Sequence, residues 1–373
     1  MALIKKKKIE KESEIQKLNI SVCIITKDSE NLIEDCIKSI SDVVREIIVV
    51  DLGSTDSTVD IVKKYTNRVF WHKWNKDYSE IRNFFSKYIS SEWVLHMDAH
   101  ERLSKESKKF FTDKLLSRTN IAYLSKTINM YQDAEVESHT CRLFRRNNEI
   151  KFKLVFDESA TDDIQRIGRR DNLNIAKSDL VFDRYNYLKY FDESELHAER
   201  IELARHGLED KKISPTIRMF YKLNLGLSLN SLGEHDDAEE IILEVLEDIR
   251  KLDKKIIYNT PVFMQAYLFF AFKYSKKEKF KEGLELMKEG IEIYNNSLTM
   301  LIRYAEFLYV NELYKDCMDC MLKIKYLLRD ENYYIMEAIN FELIAKLGKK
   351  LDNLSVEKYL KAQEANESVN SVF

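Results

Sequence analysis

The first hundred residues alternate between short apolar runs and amphipathic segments. Residues 20–26 and 46–51 are β-branched apolar runs of the kind that forms strands buried on both faces of a parallel sheet. Between them, apolar side chains recur at helical spacing, at Ile33, Cys36, Ile37 and Ile40. The pattern predicts a β-α-β unit with the right-handed crossover that such units adopt.

Polar residues follow the predicted strands at their C-terminal ends. After Asp51, Gly53 supplies a tight turn and Ser54 a helix N-cap. The elements predicted next are a strand at 68–72, a helix at 78–89 and a strand at 93–97. That last strand leads into Asp98, Ala99, His100 and Glu101. In open α/β sheets, ligands bind outside the carboxyl ends of the strands, so this edge is the predicted binding site.

The second half of the chain has a helical pattern from about residue 193. Three similar segments, at 232–238, 277–283 and 311–317, each place a polar turn and a small residue between two amphipathic stretches. The small residues are Ala238, Gly283 and Cys317. The last two are 34 positions apart, which is the tetratricopeptide period, whereas the first gap is 45 and implies an insertion near 252–261. A generic helical bundle is the alternative interpretation.

Composition narrows the class of protein. The 373 residues suffice for two domains, and a net charge of −3 from 60 basic and 63 acidic side chains argues against a nucleic-acid binder. No apolar stretch reaches the ~20 residues of a membrane span, and no apolar region follows the basic run near the N-terminus, so a cytoplasmic location is predicted. The five cysteines are odd in number and scattered, which excludes a disulfide framework.

Asp98 and His100 are candidate metal ligands. At positions i and i+2 of a strand end they point to the same side, and Mg²⁺ or Mn²⁺ accepts carboxylate and imidazole ligands while leaving positions for phosphate oxygens. Breaking a sugar–diphosphate bond needs such a cation to stabilise the leaving group. The pair alone is a weak signal, which its place after an apolar strand strengthens.

Five blocks of sequence, in this order and spacing, resemble the family 2 glycosyltransferases with a GT-A fold. They lie at 21–27, 46–59, 78–83, 91–103 and 142–146, and the resemblance covers roughly the first 185 residues. The helical remainder is similar to the tetratricopeptide tails of one bacterial branch, which includes peptide S-glycosyltransferases that modify bacteriocins. The implied fold class is α/β: a GT-A, Rossmann-like domain followed by an all-α TPR-like repeat domain.

The resemblance implies a role for each matching residue. Thr26 and Asp51 would contact the uridine, Gly53 and Ser54 would lie close to the nucleotide, and Asp98 and His100 would hold Mn²⁺ or Mg²⁺. Arg82 would support the diphosphate, and Arg142 would lie near the phosphates or the acceptor. Asp28 and Ala99 complete the predicted donor site.

The chain departs from the family pattern at three positions. His100 stands where the family has a second Asp, Asp157 stands where relatives have His before Glu158, and Asp183 is placed where a further His is expected. Either the metal site is rebuilt with Asp98, His100 and Asp183, or activity is weakened. Asp157 and Glu158 are the candidate catalytic bases, with a solvated loop carboxylate as the alternative.

The predicted organisation is a charged tail at 1–18, a GT-A domain at 19–190, a helical linker at 191–214 and a repeat domain at 215–373. The predicted function is metal-dependent inverting transfer from a UDP-sugar to a Ser, Thr or Cys side chain of a peptide or protein. The alternatives are transfer to a surface glycan or lipid-linked acceptor, and a TPR-like interaction protein without catalysis. The repeats would bind the polypeptide or form a homodimer.

Overall fold

The computed structural model describes residues 17–111, 116–130, 135–184 and 193–331. The chain divides into two compact units, Met1–Ile213 and Ser214–Phe373. The predicted N-terminal tail therefore lies outside the described residues except for its last two positions, and Leu18 already belongs to the first strand. Within the described ranges, no helix combines the length and the apolar character that crossing a membrane requires.

The first unit is built on one mixed sheet. Its strands are β1 (Leu18–Thr26), β2 (Val44–Asp51), β3 (Val69–Trp71), β4 (Trp93–Asp98), β5 (Glu101–Leu103), β6 (Asn120–Met130), β7 (Glu135–Arg145) and β8 (Asn174–Arg184). Their order across the sheet is β3-β2-β1-β4-β7-β6-β8-β5. Strands β1 to β4 are parallel, whereas β7 runs antiparallel to β4 and β6, and β5 antiparallel to β8.

Helices cover the sheet and join its strands. They are α1 (Ile33–Ile40), α2 (Thr58–Lys63), α3 (Tyr78–Phe84), α4 (Thr161–Asp171) and α5 (Glu193–Glu209), with 3₁₀ turns at Phe85–Lys87 and Ser107–Phe110. The four apolar positions predicted for the first helix are all buried, which confirms the β-α-β unit. Burying such side chains contributes about 1.5–3 kcal/mol each. The helix predicted to reach residue 89 ends as α-helix at Phe84 and continues as the first 3₁₀ turn.

The parallel register brings the predicted site residues to one edge of the sheet. Thr26 at the end of β1 lies opposite Asp51 at the end of β2. On the other side of β1, Ile25 lies opposite Asp98 at the end of β4. Asp51 and Asp98 therefore end the two strands that flank β1, as the sequence pattern predicts.

The predicted linker contains α5, which belongs to the first unit. The phenol of Tyr78 donates to Glu199 at 3.1 Å, and Lys76 pairs with Glu202 at 2.6 Å. Arg200 pairs with Asp157 at 2.7 Å. These contacts attach α5 to the loops that precede α3 and α4, beside the predicted catalytic carboxylates.

Over its described residues, 214–331, the second unit is helical and has no strand, so the predicted fold class is confirmed. Its helices are α6 (Pro215–Ser231), α7 (His235–Ile249), α8 (Lys254–Tyr258), α9 (Met264–Lys276), α10 (Phe280–Ile293), α11 (Leu298–Val310) and α12 (Tyr314–Glu331). Ser214 caps α6 by accepting from the amide of Ile217 at 3.3 Å, with Pro215 in the first turn. Helix α8 and a 3₁₀ turn at Pro261–Phe263 fill the predicted insertion.

The small residues of the three repeat segments are buried where helices meet. Ala238 and Cys317 are 0% and 1% exposed. A Cβ at Gly283 would lie 2.1 Å from Cε1 of Phe307, so the crossing of α10 and α11 has no room for a side chain. Cys317 and Cys320 are buried and do not form a disulfide with each other, which agrees with a packing role.

Candidate active site

Asp51 holds the turn that follows β2. Its carboxylate accepts from the amides of Gly53 at 3.1 Å and Ser54 at 3.2 Å, and from the hydroxyl of Ser54 at 2.6 Å. Gly53 has φ of +95°, a backbone conformation that side chains disfavour. The predicted donor residues Asp51, Gly53 and Ser54 therefore form one rigid turn, with the Asp51 side chain 5% exposed.

The loop after β1 is bound to this turn. The carboxylate of Asp28 accepts from the amide of Thr55 at 2.7 Å, and the amide of Asp28 donates to the hydroxyl of Ser54 at 2.9 Å. Asp28 itself has φ of 42°. Thr26 is 2% exposed, and its hydroxyl has no hydrogen-bond partner within the described part of the chain. A buried hydroxyl without a partner costs free energy, so the Thr26 hydroxyl is a candidate hydrogen-bonding group for a polar ligand at this edge.

Trp71 lies beside the same turn. It ends β3 opposite Asp51, its side chain is 66% exposed, and its Nε1 lies 3.8 Å from the position of a Cβ on Gly53. This exposure excludes a core position for Trp71. Trp74 instead packs against Tyr78, with ring centroids 4.6 Å apart.

A second group of polar side chains lies at the end of β4. Asp98, His100 and Glu101 offer ligand atoms that all lie within 4.8 Å of one another. Ala99, between them, is 5% exposed and packs in the core rather than presenting a side chain. Burial lowers the pKa of His100, which keeps its imidazole neutral and therefore able to bind a metal.

Arg82 joins this group to the predicted catalytic base. Its Nη2 donates to Asp98 Oδ1 at 2.5 Å, and its Nε donates to Glu158 Oε1 at 2.8 Å. The guanidinium is 8% exposed and also faces the carbonyl of Met97 at 3.5 Å. That Arg82 supports the diphosphate stays a prediction; in this structure the guanidinium pairs with the two carboxylates.

The two carboxylates that Arg82 bridges have opposite pKa shifts. Burial opposes ionisation of Asp98, but Arg82, Arg142 and Arg184 together hold its pKa well below the usual range. Burial raises the pKa of Glu158, and the nearby Asp98 raises it further against the opposing effect of Arg82. One carboxylate thus stays ionised while the other is shifted toward neutral pH, an arrangement common where a general base is needed.

Glu101 is a site residue that the sequence interpretation did not assign. It is 0% exposed, and both of its oxygens are occupied. Arg142 donates to Oε2 at 2.6 Å, Arg184 donates to Oε1 at 2.8 Å, and the amide of Asp98 donates to Oε2 at 3.0 Å. The available signal was an acidic residue three positions after Asp98. Arg142, predicted near the phosphates or the acceptor, is a partner of this buried carboxylate.

The structure does not bring Asp183 into the group around Asp98. In the β5–β8 register Asp183 lies opposite Arg102 and Arg184 opposite Glu101. Successive side chains of a strand point to opposite faces, so Arg184 and not Asp183 faces Asp98 and Glu101. Asp157, the other carboxylate of the predicted base pair, is bound to Arg200 through two contacts of 2.7 Å and 3.2 Å.

The residues present fit a divalent cation held by two protein ligands. Glu101 is committed to two arginines, which leaves Oδ2 of Asp98 and the neutral imidazole of His100 as the donor pair. Mg²⁺ and Mn²⁺ are commonly bound by one or two side chains together with substrate phosphates. A two-ligand site is therefore chemically reasonable, and the missing ligands would come from the nucleotide.

Comparison with known proteins assigns this domain. Residues 21–171 match the family described as Glycosyl transferase family 2. The first unit contains a family 2 glycosyltransferase domain. The resemblance predicted from the five sequence blocks is thereby confirmed. The matched range contains the polar groups around Asp51 and Asp98, but not residues 183 and 184.

Individual relatives match only part of their own length. The SPbeta prophage-derived glycosyltransferase SunS of Bacillus subtilis is 36% identical over 138 residues, which are 36% of this chain and 32% of that protein. A TPR repeat-containing protein of Synechococcus elongatus is 27% identical over 152 residues, 41% of this chain and 38% of that protein. The chain thus spans about a third of the length of these curated relatives.

Among solved structures, TarS residues 1–349 of S. aureus in complex with UDP-GlcNAc is similar, with a TM-score of 0.38 and 17% identity over 85% of this chain and 93% of that chain. A similarity at this level carries no information on the substrate.

Proposed function

We propose that the chain is an inverting glycosyltransferase that moves a sugar from a UDP-sugar to a Ser, Thr or Cys side chain of a peptide or protein. The observation that carries the proposal is the pair of polar groups at one sheet edge of a family 2 domain. Thr26 ends β1, and the Asp51 turn lies on one side of this strand. Asp98 and His100 lie on the other side, where Arg82 joins Asp98 to Glu158.

The donor would be bound from its base to its diphosphate along this edge. The unpartnered hydroxyl of Thr26 and the Asp51 turn support a polar contact with uracil, and the exposed ring of Trp71 borders the same place. Asp98 and His100 would hold Mn²⁺ or Mg²⁺. When bound, such an ion neutralises charge on the departing diphosphate.

Glu158 is the favoured base because its carboxylate is buried and its pKa is raised. In the transfer step, the acceptor O–H or S–H gives its proton to Glu158 while the oxygen or sulfur forms a bond to the anomeric carbon. The bond from that carbon to the diphosphate oxygen breaks, and UDP leaves with the electron pair. Asp157 is a weaker candidate because Arg200 occupies both of its carboxylate oxygens, whereas Arg82 donates to one oxygen of Glu158.

A peptide or protein acceptor is supported by the helical second unit, since arrays of helical repeats present extended surfaces that bind polypeptides. A cytoplasmic location and a homodimer through the second unit stay predictions.

The test is UDP release from a panel of UDP-sugars with Mn²⁺ in wild type and in Asp98→Asn. The substitution keeps the shape of the side chain but removes the charge, and we expect at least about 100-fold slower release because metal stabilisation of the leaving group provides several kcal/mol. Asp42→Asn is the matched control, since Asp42 is half-exposed and pairs with Lys108. Equal turnover of Asp98→Asn and wild type would contradict the assignment.

A further inference from the structure

Glu158 lies on a loop that is closed at its base. The backbones of Lys153 and Ser159 form two hydrogen bonds, of 3.1 Å and 3.2 Å, and the residues between them form the tip of the loop. Within this tip, Leu154 and Asp157 have φ of 76° and 49°. Residues with a side chain disfavour this backbone conformation, and it persists only where the surrounding structure holds it. The tip that carries Glu158 therefore depends on contacts from outside the loop.

Helices α3 and α5 supply those contacts. The amide of Tyr78, the first residue of α3, donates to the carbonyl of Val155 at 2.9 Å. Arg200 of α5 donates to both carboxylate oxygens of Asp157, at 2.7 Å and 3.2 Å. The same guanidinium lies 5.0 Å from the ring centroid of Phe156, which is 4% exposed. A two-point contact of a planar guanidinium fixes direction as well as distance, so Arg200 holds two successive residues of the tip.

The position of Glu158 follows from that of its neighbour. Glu158 is the next residue after Asp157, and its carboxylate is 12% exposed and accepts from Nε of Arg82 at 2.8 Å. A general base must lie within hydrogen-bond reach of the proton that it accepts. A displacement of about 1 Å, even one caused by a remote change, can slow a reaction about 100-fold. A contact that fixes the tip therefore bears directly on the rate.

We propose that Arg200 is a positioning residue, which holds Asp157 and Phe156 so that the carboxylate of Glu158 stays in place beside Arg82. The inference rests on the proposed function and deepens it, because it assigns different tasks to two neighbouring carboxylates. Asp157 attaches the loop to α5, and Glu158 accepts the proton. The side chains of Arg200 and Asp157 are 32% and 51% exposed, and ion pairs this exposed contribute little to stability. The effect of the pair is therefore on the loop and not on folding as a whole.

The experiment measures kcat for UDP release from a UDP-sugar, and the Kd for UDP, on the full chain with Arg200→Met. We expect kcat to fall about 10- to 100-fold with an unchanged Kd for UDP. The thermal midpoint should fall by no more than about 4 °C, because the pair is partly exposed. Adding Arg200→Met to Glu158→Gln should slow release no further, since a residue that acts through Glu158 has nothing left to position. A role in folding alone would reduce activity by the same factor in both backgrounds.

Asp157→Asn tests the same contact from the other side and serves if Arg200→Met does not fold. Asparagine tolerates the positive φ at this position but lacks the charge that binds Arg200. Its kcat should fall by a similar factor, and the double variant with Arg200→Met should be no slower than either single variant. Arg200→Lys, which keeps the charge without the planar fork, should lie between Arg200→Met and wild type.

Arg205→Met is the matched control. Arg205 is exposed on the same helix, and its replacement should leave kcat and the Kd for UDP unchanged. If folded Arg200→Met and Asp157→Asn release UDP as fast as wild type does, or if Arg200→Met slows Glu158→Gln as much as it slows wild type, the proposal for Arg200 is overturned while the transferase assignment stands. If wild type releases no UDP from any UDP-sugar, the proposed function fails, and the role of Arg200 fails with it.

Discussion

Replacing Arg82 by Met should be the most destabilising single change in the site. The substitution keeps much of the side-chain volume but removes the guanidinium that lies between Asp98 and Glu158. The three side chains are 8%, 22% and 12% exposed, so two carboxylates would remain in a largely dry environment without their shared partner. Removing one member of a buried ion pair costs about 3–5 kcal/mol.

The size of the loss should depend on pH. In wild type, the pKa of Asp98 is depressed, so its contribution to stability is present above the unfolded pKa and is lost only as pH falls through the folded value. Without Arg82, the pKa of Glu158 rises further above its unfolded value because the opposing effect of Arg82 is gone, while Arg142 and Arg184 still lower the pKa of Asp98. The folded variant then binds more protons than the unfolded chain, and its stability falls as pH rises.

Thermal unfolding at pH 5.5 and pH 8 measures both effects. For a unit of about 200 residues, a loss of this size lowers the midpoint by roughly 6–20 °C, more at pH 8 than at pH 5.5. Arg102→Met is the control, because its pair with the exposed Asp35 is worth about 0–1 kcal/mol. A loss for Arg82→Met no greater than the control, or equal at both pH values, would refute this account of the network.

Two further changes test the base and the repeat packing. Glu158→Gln cannot accept a proton, so kcat should fall about 10²- to 10⁴-fold with unchanged UDP affinity. In wild type, the acid limb of the pH profile of kcat/KM is expected above the ordinary pKa of Glu, because burial raises the pKa of Glu158; this limb should disappear in the variant. A larger fall in kcat for Asp157→Asn than for Glu158→Gln would transfer the role of base to Asp157. Gly283→Ala should lose about 1–3 kcal/mol by overpacking against Phe307, although alanine normally stabilises a helix by about 1 kcal/mol. Urea unfolding beside the exposed control Glu282→Ala measures this loss, and a gain in stability for Gly283→Ala would show that the ring gives way.

Much of the first unit was predictable because its strands are short apolar runs that end in polar residues. The placement of Thr26, Asp51 and Asp98 at one edge follows from parallel pairing, which the β-α-β pattern already implies. The irregular stretch from residue 120 was harder, since β7 pairs with β4 and β8 with β6 across long separations in sequence. Such pairing leaves little local signal.

The details of the site were less predictable for a related reason. A shift of one residue along a strand moves its side chains to the opposite face of the sheet. The prediction of Asp183 as a metal ligand therefore depended on the register of β8. In the structure, Arg184 and not Asp183 faces Asp98. Likewise, no sequence pattern indicates that Arg82 joins Asp98 to Glu158, because these residues lie on three separate elements. The attachment of α5 beside Asp157 depends on single ion pairs and was equally hidden.

The central claim is that Asp98 and His100 meet the diphosphate of a uridine nucleotide at the edge where Thr26 and Asp51 lie. The most direct measurement is a crystal structure with UDP and Mn²⁺, with the ion located by its anomalous signal. We predict a manganese peak about 2.0–2.3 Å from a carboxylate oxygen of Asp98 and an imidazole nitrogen of His100, with uracil against Thr26 and the Asp51 turn. Well-ordered UDP bound elsewhere on the chain, with no ion beside Asp98, would contradict the account.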